Sequence, residues 1–203
     1  MAHYFDKNPT AQSRPHDIPC KFSDISFSFA SDSNVFSKNN IDFGSRFLID
    51  TVIADIQKNA LAGSLLDLGC GYGVVGIVLK RLFPHLKVTM TDINERALEL
   101  AKENMRRNQV SDINIIHSDG WTELIDLYDM ILTNPPVRAG KKTVFSFYNG
   151  AFEHLKKNGR LYVVLQKKQG ADSSIAYLEN LFGNCCILEK DSGYRVFMAE
   201  KEV

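Results

Sequence analysis

A short motif near the middle of the chain combines an amide side chain with two consecutive prolines. Asn134, Pro135 and Pro136 directly follow an apolar run and precede Val137. Two prolines fix the backbone and remove two N–H donors, so the carbonyls there are free to face a substrate that brings N–H groups. The side-chain oxygen of Asn134 and the carbonyl of Pro135 could accept the two hydrogens of an amine or amide nitrogen. The motif therefore indicates chemistry on a nitrogen whose lone pair must be aimed at an electrophile.

A glycine-dense turn at residues 65–76 is a second candidate site. Gly69, Gly71 and Gly73 let a ligand approach the backbone closely, and the helix that follows offers unpaired N–H groups. Together with Gly76, these glycines also satisfy the dinucleotide fingerprint, for which a nicotinamide or flavin enzyme is the usual interpretation. The residues around the turn must therefore decide which cofactor it holds.

Two aspartates beside this turn favour a cofactor with a cationic group and a ribose. Asp67 lies inside the strand end before the glycines, where a carboxylate suits the cationic amino acid portion of S-adenosylmethionine but not a pyrophosphate. Asp92 ends the next apolar run, and an acidic residue there would accept hydrogen bonds from both ribose hydroxyls. Because Asp92 fits a nicotinamide cofactor equally well, the choice of S-adenosylmethionine depends on Asp67.

The elements that must position these residues alternate between short apolar runs and longer amphipathic stretches. Strands are predicted at 65–68, 88–91, 113–116, 130–132 and 161–165. The intervening helices are predicted to begin near Val74, Asn94, Thr122, Lys142 and Gly170. This alternation predicts an α/β fold with a doubly wound, mostly parallel sheet and right-handed connections. Two further runs flank a turn at 191–193, which predicts a hairpin and an antiparallel last strand.

The N-terminal part precedes this alternating pattern. Residues 1–20 are polar and contain three prolines, which predicts an irregular arm. A period-2 stretch from Lys21 to Ala30 predicts a strand or hairpin, and apolar residues at helical spacing predict a helix over 44–58. We therefore expect one structural domain, in which an arm and hairpin at 1–43 pack on a sheet domain at 44–203.

Composition argues against several classes of protein. The 203 residues include 24 Lys+Arg and 24 Asp+Glu, and this balance disfavours a grip on naked nucleic acid unless charge is segregated onto one face. The four cysteines show no zinc-type spacing, so free thiols in a reducing compartment and no metal site are expected. No apolar run approaches the ~20 residues that span a bilayer, and the N-terminus lacks a signal-peptide pattern. These features predict a cytoplasmic protein with no membrane partner.

Taken together, the motifs resemble those of class I S-adenosylmethionine-dependent methyltransferases. Residues 67–73 resemble their cofactor motif, and residues 92–98 with Asn104 resemble their second motif. Asp119 falls where such enzymes accept a hydrogen bond from the adenine amino group. The resemblance implies a Rossmann-like fold with a seven-stranded sheet and an N-terminal hairpin and helix extension. The cofactor-binding residues it implies are Asp67, Gly69, Gly71, Gly73, Asp92, Ile93, Asp119 and Asn134.

A longer match is similar to small-domain methyltransferases related to bacterial 16S ribosomal RNA guanine-N2 methyltransferases. The segments that carry it are 35–38, 41–44, 134–141, 164–170 and 193–196. In that group the segment from Phe36 to Gly44 lies across the cofactor pocket, so Phe36 joins the expected cofactor-binding set. The small-subunit rRNA enzymes of the group carry an additional N-terminal domain of similar fold, and no such domain is expected in this sequence.

The residues after Asn134 are expected to form the substrate side of the site. In amino-directed methyltransferases an aromatic residue follows Asn-Pro-Pro, but Val137 stands there, so Phe36, Phe145 or another aromatic would have to stack on the substrate. Arg138 and Lys141 follow the turn and could meet phosphates, as could Lys142. The expected substrate-binding residues are Pro136, Val137, Arg138 and Lys141, beside the catalytic pair Asn134 and Pro135.

The sequence leaves three functions open. A guanine-N2 methyltransferase acting on ribosomal RNA or the small ribosomal subunit fits the extended match, and its target base must leave the stack to reach the pocket. A protein glutamine N5-methyltransferase suits the neutral charge but not that match. A non-catalytic module would bind S-adenosylmethionine without transferring a methyl group, and a dehydrogenase is a more distant alternative.

Overall fold

The computed structural model describes residues 16–32 and 40–203, which form two sheets and five α-helices. The strands are β1 (His16–Phe22), β2 (Ile25–Ser31), β3 (Ser64–Leu68), β4 (Lys87–Asp92), β5 (Ile113–His117), β6 (Tyr128–Thr133), β7 (Leu155–Gln166), β8 (Cys186–Asp191) and β9 (Tyr194–Lys201). The helices are α1 (Phe43–Asn59), α2 (Val74–Leu82), α3 (Glu95–Arg107), α4 (Lys141–His154) and α5 (Ala171–Phe182). Among these helices none is both long and apolar enough to cross a membrane.

The larger sheet has the strand order β5-β4-β3-β6-β7-β9-β8. Strands β3 to β7 are parallel, whereas β9 runs antiparallel to both β7 and β8. The predicted doubly wound sheet with an antiparallel last strand is therefore confirmed. The chain moves outward from β3 to β5 and then returns to place β6 on the other side of β3. A crevice consequently opens at the carboxyl ends of β3 and β6, where doubly wound sheets bind their ligands.

Apolar side chains on both faces of the sheet explain why its strands read as continuous apolar runs. Leu65 of β3 faces a core shared with α1, α2, α3 and the β1–β2 hairpin, whereas Leu66 faces a second core shared with α4 and α5. Both leucines are fully buried. Burial on the two faces fixes the register of β3, and with it the position at which the glycine turn leaves the sheet.

The structure corrects the sequence predictions at two places. The prediction of an irregular arm at residues 1–20 is wrong from His16 onward. Strand β1 begins at that residue and pairs antiparallel with β2. Pro19 is compatible with this two-stranded ribbon because proline is tolerated in edge strands. The helix predicted to begin near Thr122 is also wrong, because residues 119–123 form turns and 124–127 are irregular. The Ser118 hydroxyl accepts the Glu123 N–H at 3.2 Å, which diverts that backbone donor from a helix.

Two asparagines of α3 attach the hairpin to the sheet domain. Asn104 is fully buried, its Oδ1 accepts the Ala30 N–H at 2.6 Å, and its Nδ2 donates to the carbonyls of Ala30 and Tyr72, each at 2.9 Å. Asn108 binds the N–H and the carbonyl of Ser28 in the same way, at 3.0 and 2.9 Å. The two amides thus pair with the free edge of β2 as a neighbouring strand would.

Removing one of these amides is expected to destabilise the protein. Asn104→Ala should lower the free energy of unfolding by about 2–4 kcal/mol, because three buried backbone groups lose their partner. Asn59→Ala removes an amide of α1 that is exposed and bonded only to Asp55, so its effect should stay within about 0.5 kcal/mol. Urea unfolding of both variants measures the difference. Equal losses would contradict the role of Asn104.

Candidate active site

A cavity of ≈ 440 Å³ opens at the carboxyl ends of β3, β4 and β6. It collects most of the side chains and glycines that the sequence singled out. The predicted site residues that line it are Asp67, Gly69, Gly71, Asp92, Ile93, Asp119, Asn134, Pro135, Pro136, Val137 and Arg138. Gly73 and Lys141 do not line it, and Phe36 lies outside the described residues.

The glycine turn folds back across the end of β4 and presents backbone to the cavity. Gly71 has a φ of 55°, in the left-handed region, and its N–H donates to Asp92 Oδ2 at 2.8 Å. A Cβ added at Gly71 would meet no atom within 4 Å, so this part of the turn faces open space that a ligand can enter. Gly73 differs, because a Cβ there would lie 3.0 Å from Ile77 Cδ1 and 3.1 Å from Ala101 Cβ. The structure therefore gives Gly73 a packing role between α2 and α3.

Asp67 is a buried carboxylate at the wall of the cavity. Its exposed fraction is 3%, and its Oδ2 accepts the N–H of Gly76 at 2.9 Å. Burial raises the pKa of Asp67 to about 7, and the nearby Asp92 adds to this shift. A carboxylate in such surroundings is stabilised by any cation that enters the cavity beside it.

Asp92 and Asp119 occupy different environments. Asp92 accepts backbone N–H groups on both oxygens, from Asn94 at 2.9 Å and from Gly71 at 2.8 Å, and burial raises its pKa. Asp92 therefore ties the glycine turn to the start of α3, and its carboxylate retains acceptor capacity for a ligand. Asp119 is exposed, and within the described ranges its carboxylate makes no hydrogen bond or ion pair.

The amide of Asn134 is held by the first turn of α1. Its Nδ2 donates to Ser45 Oγ at 3.1 Å and to Asp42 Oδ1 at 3.3 Å. Asp42 is also the N-cap of α1, because the same Oδ1 accepts the N–H of Ser45 at 3.0 Å. With the nitrogen end so occupied, Asn134 presents its Oδ1 away from Asp42, and no donor in the described part of the chain reaches that oxygen.

The proline carbonyls are less free than the sequence suggested. The carbonyl of Pro135 accepts the N–H of Val137 at 2.8 Å, and the carbonyl of Pro136 accepts the N–H of Ala139 at 2.9 Å. The first bond closes a γ-turn, and the second begins the short 3₁₀ turn Val137–Ala139 after β6. A substrate could reach Pro135 only through the second lone pair of its oxygen, so Asn134 Oδ1 is the more available acceptor of the motif.

Several residues that line the cavity were not among the predicted site residues. Phe147 of α4 lies along the glycine turn, with Cε2 4.0 Å from the position of a Cβ at Gly69. Others include Asp42, Ser45, Gln169 and Tyr194. A signal existed for Asp42, because an aspartate directly before an apolar periodic stretch is a typical helix N-cap.

The two predicted cations are exposed on and directly after the 3₁₀ turn. Arg138 is exposed on the 3₁₀ turn, and Lys141 is the exposed first residue of α4, with its Nζ 5.0 Å from the centre of the Phe145 ring. Phe145 stacks on Tyr177 with ring centres 3.9 Å apart and does not line the cavity.

Solved structures with the same fold include methyltransferases. The 16S rRNA N2 methyltransferase RsmC of T. thermophilus, solved with AdoMet and guanosine, matches 96% of this chain and 52% of its own chain, with a TM-score of 0.82 and 24% identity. A methyltransferase from Pyrococcus furiosus matches 76% of this chain and 84% of its own, with a TM-score of 0.62 and 20% identity. At these identities the likeness shows the fold.

Two curated relatives have a higher sequence identity to this chain than these solved structures have. The uncharacterized protein YbxB of Bacillus subtilis is 41% identical over 201 residues, which cover 98% of both chains. The ribosomal RNA small subunit methyltransferase C of Vibrio cholerae is 33% identical over 174 residues, which cover 82% of this chain and 47% of that protein. This chain thus spans about half the length of the rRNA methyltransferases that it matches. Residues 26–198 match the model of the methyltransferase small domain, and the chain belongs to that family.

Proposed function

We propose that this protein is an S-adenosylmethionine-dependent methyltransferase that modifies the exocyclic N2 of a guanine in ribosomal RNA. The observation that carries the proposal is the amide of Asn134, whose nitrogen is held by Asp42 and Ser45 so that its oxygen receives no donor from the described chain. Thr133 pairs with Leu68, so Asn134 leaves β6 beside the glycine turn. The names of the rRNA methyltransferase C relatives and the guanosine bound to RsmC support this choice of substrate. In this proposal the protein acts in the cytoplasm, and its partner is ribosomal RNA or the small ribosomal subunit.

The cavity offers partners for three kinds of polar group in S-adenosylmethionine. Asp67 supplies an anion for the ammonium group, and Asp92 supplies carboxylate oxygens for the ribose hydroxyls. Asp119, whose carboxylate is unpaired within the described ranges, suits the adenine amino group. The open space beside Gly71 lets a ligand pass close to the backbone, and the ring of Phe147 supplies an apolar wall along the glycine turn.

The chemistry depends on how Asn134 holds the target amine. S-adenosylmethionine supplies an electrophilic methyl group when bound. The lone pair of a guanine N2 is delocalised into the ring, and a hydrogen bond from N2–H to Asn134 Oδ1 favours the pyramidal nitrogen that can attack. The nitrogen lone pair forms the new N–C bond as the C–S bond breaks, and the nitrogen then releases one proton to solvent. Positioning and preorganised dipoles therefore lower the barrier without a strong base.

Asp42 determines which end of the Asn134 amide meets the substrate. A reversed amide would bring Asn134 Oδ1 against the carboxylate of Asp42 and would lose a charge-assisted hydrogen bond, which costs about 1.5–3 kcal/mol. The site therefore presents an acceptor and selects substrates that bring N–H donors, as amino groups do.

The distribution of positive charge supports an RNA partner despite the neutral net charge. Two turns that follow the neighbouring strands β6 and β7 border the cavity. They and the start of α4 carry exposed cations, and none of these forms an ion pair with a residue in the described ranges. These cations are Arg138, Lys141, Lys142, Lys167 and Lys168. Cations gathered beside the site suit the phosphates that flank a target nucleotide.

Methyl transfer to small ribosomal subunits from a strain that lacks the protein tests the proposal. With labelled S-adenosylmethionine, the wild-type protein should place label in N2-methylguanosine after digestion to nucleosides. Asn134→Ala should lower the turnover rate by about 100-fold or more, because a preorganised group at the reacting atom is lost. Asn149→Ala removes an exposed amide outside the cavity and should leave the rate unchanged.

The other products of this assay would contradict the proposal in distinct ways. Label in protein would point to a glutamine methyltransferase. Absence of label from both RNA and protein, in a protein that binds the cofactor, would indicate a non-catalytic module. Naked rRNA, assayed in parallel, shows whether the assembled subunit is needed.

Cofactor affinity should depend on pH through Asp67. Burial holds the pKa of this carboxyl at about 7 in the free protein, whereas a bound ammonium favours the ionised form and lowers it. Affinity for S-adenosylhomocysteine, which carries the same ammonium group, should therefore be highest above pH 7. It should weaken by up to about tenfold per pH unit below that value.

Calorimetric titration from about pH 5.5 to about pH 8 measures this dependence. Asp67→Asn should bind more weakly at high pH and should lose the pH dependence. Wild-type affinity that does not change over this range would contradict the assignment of Asp67 to the ammonium group.

A further inference from the structure

A methyltransferase that accepts a flat base needs a surface against which the base can stack. Val137 stands where the stacking residue is expected, and it is half-buried against the core shared by α4 and α5. Phe145, a candidate from the sequence, stacks on Tyr177 and does not line the cavity. Neither residue supplies the surface.

Three aromatic residues in the described part of the chain line the cavity, and they lie at different places. Tyr72 is only 5% exposed and packs against Phe29, with ring centres 6.2 Å apart. Phe147 lies along the glycine turn, in the half of the cavity that suits the cofactor. The third aromatic residue is Tyr194.

Tyr194 lies beside the amide of Asn134. A Cβ added at Gly44 would lie 3.0 Å from Tyr194 Cε1 and 3.5 Å from Asn134 Nδ2, so both side chains surround the same point at the start of α1. The ring of Tyr194 is half-buried, and its hydroxyl has no hydrogen-bond partner in the described ranges. Tyr194 therefore lines the cavity at the start of α1, next to the amide of Asn134.

The topology of the sheet accounts for this position. Because β9 is antiparallel to β7, its first residue, rather than its last, lies at the carboxyl edge of the parallel strands. Tyr194 is that first residue and pairs with Gln166 at the end of β7. The N–H of Lys167 donates to the Gly193 carbonyl at 2.8 Å, which fixes the preceding hairpin turn against β7.

A second aromatic ring supports Tyr194 from outside the cavity. The ring centre of Phe43 lies 5.1 Å from that of Tyr194 and 5.7 Å from that of Phe47. Phe43 is 40% exposed, which is unusual for such an apolar side chain in this protein. Phe43 therefore leaves one side of this aromatic pair open to solvent while Tyr194 lines the cavity.

We propose that Tyr194, supported by Phe43, is the stacking surface for the target guanine and replaces the aromatic residue that usually follows Asn-Pro-Pro. The inference rests on the proposed function and adds the residue that recognises the face of the base. Asn134 then meets the edge of the base through its amino group, while Tyr194 meets the ring.

Guanosine binding to the protein saturated with S-adenosylhomocysteine tests this inference directly. Tyr194→Leu keeps an apolar side chain but removes the ring, and it should weaken guanosine binding about tenfold or more. Tyr194→Phe keeps the ring and should stay within about threefold of the wild type. Phe145→Leu makes the same change at an aromatic outside the cavity and should have no effect.

The same variants in the methyl-transfer assay should separate substrate binding from the rest of the reaction. Tyr194→Leu should raise KM for small subunits while its affinity for S-adenosylhomocysteine stays unchanged. Unaltered guanosine binding by Tyr194→Leu would overturn the inference, as would equal losses in Tyr194→Phe or a parallel loss of S-adenosylhomocysteine affinity. A wild-type protein that makes no N2-methylguanosine would instead overturn the proposed function, and the stacking role with it.

Discussion

The hydrogen bonds from Asn134 to Asp42 and Ser45 join the Asn-Pro-Pro motif to a helix from a different part of the chain. Asn134 leaves the end of β6, but the orientation of its amide depends on where α1 begins. The position of α1 on the sheet is also fixed near the C-terminal end of the helix. Asp55 of α1 accepts the hydroxyl of Tyr162 at 2.6 Å and pairs with Arg160 at 3.1 Å, both on β7. The helix is thus anchored to the sheet near each of its ends.

Different strands of the sheet contribute the two halves of the cavity. The cofactor half is built at the carboxyl ends of β3 and β4, where the glycine turn and Asp92 bond to each other. The substrate half is built from the end of β6, the start of α1 and the start of β9. A fully parallel sheet would place the end of β9 at this edge, so the antiparallel strand is what brings Tyr194 to the site. The methyl group would pass between these halves, directly beside Asn134.

The sequence pattern predicted those helices and strands whose formation depends on the apolar spacing of their own residues. Continuous apolar runs identified β3, β4, β6 and β7, which are largely buried on both faces, and also the more exposed edge strand β5. Helical spacing identified α1 to within a residue at each end. The pattern failed at Thr122, where the Ser118 hydroxyl competes for a backbone N–H. It also failed at residues 16–20, where strand formation depends on pairing with β2 and on contacts with α3.

The site was predictable where a motif carries its own geometry, and less so where partners come from distant segments. Asp67, Asp92 and Asn134 fell in the cavity as predicted, because each follows or ends a strand at the carboxyl edge. The bond from Val137 to the Pro135 carbonyl was not anticipated, since it depends on the turn geometry after β6. Tyr194 and Phe147 could not be assigned from local pattern, because only the packed sheet brings β9 and α4 to the cavity.

The orientation of the Asn134 amide is the central claim, and a neutron structure of the complex with S-adenosylhomocysteine and guanosine tests it most directly. Neutron diffraction distinguishes the amide oxygen from the amide nitrogen, which X-ray data at ordinary resolution do not. The account predicts Asn134 Oδ1 at about 3 Å from the exocyclic nitrogen of guanine, with Nδ2 still donating to Asp42 and Ser45. An amide with Nδ2 facing the base, or a base whose amino group lies away from Asn134, would contradict it.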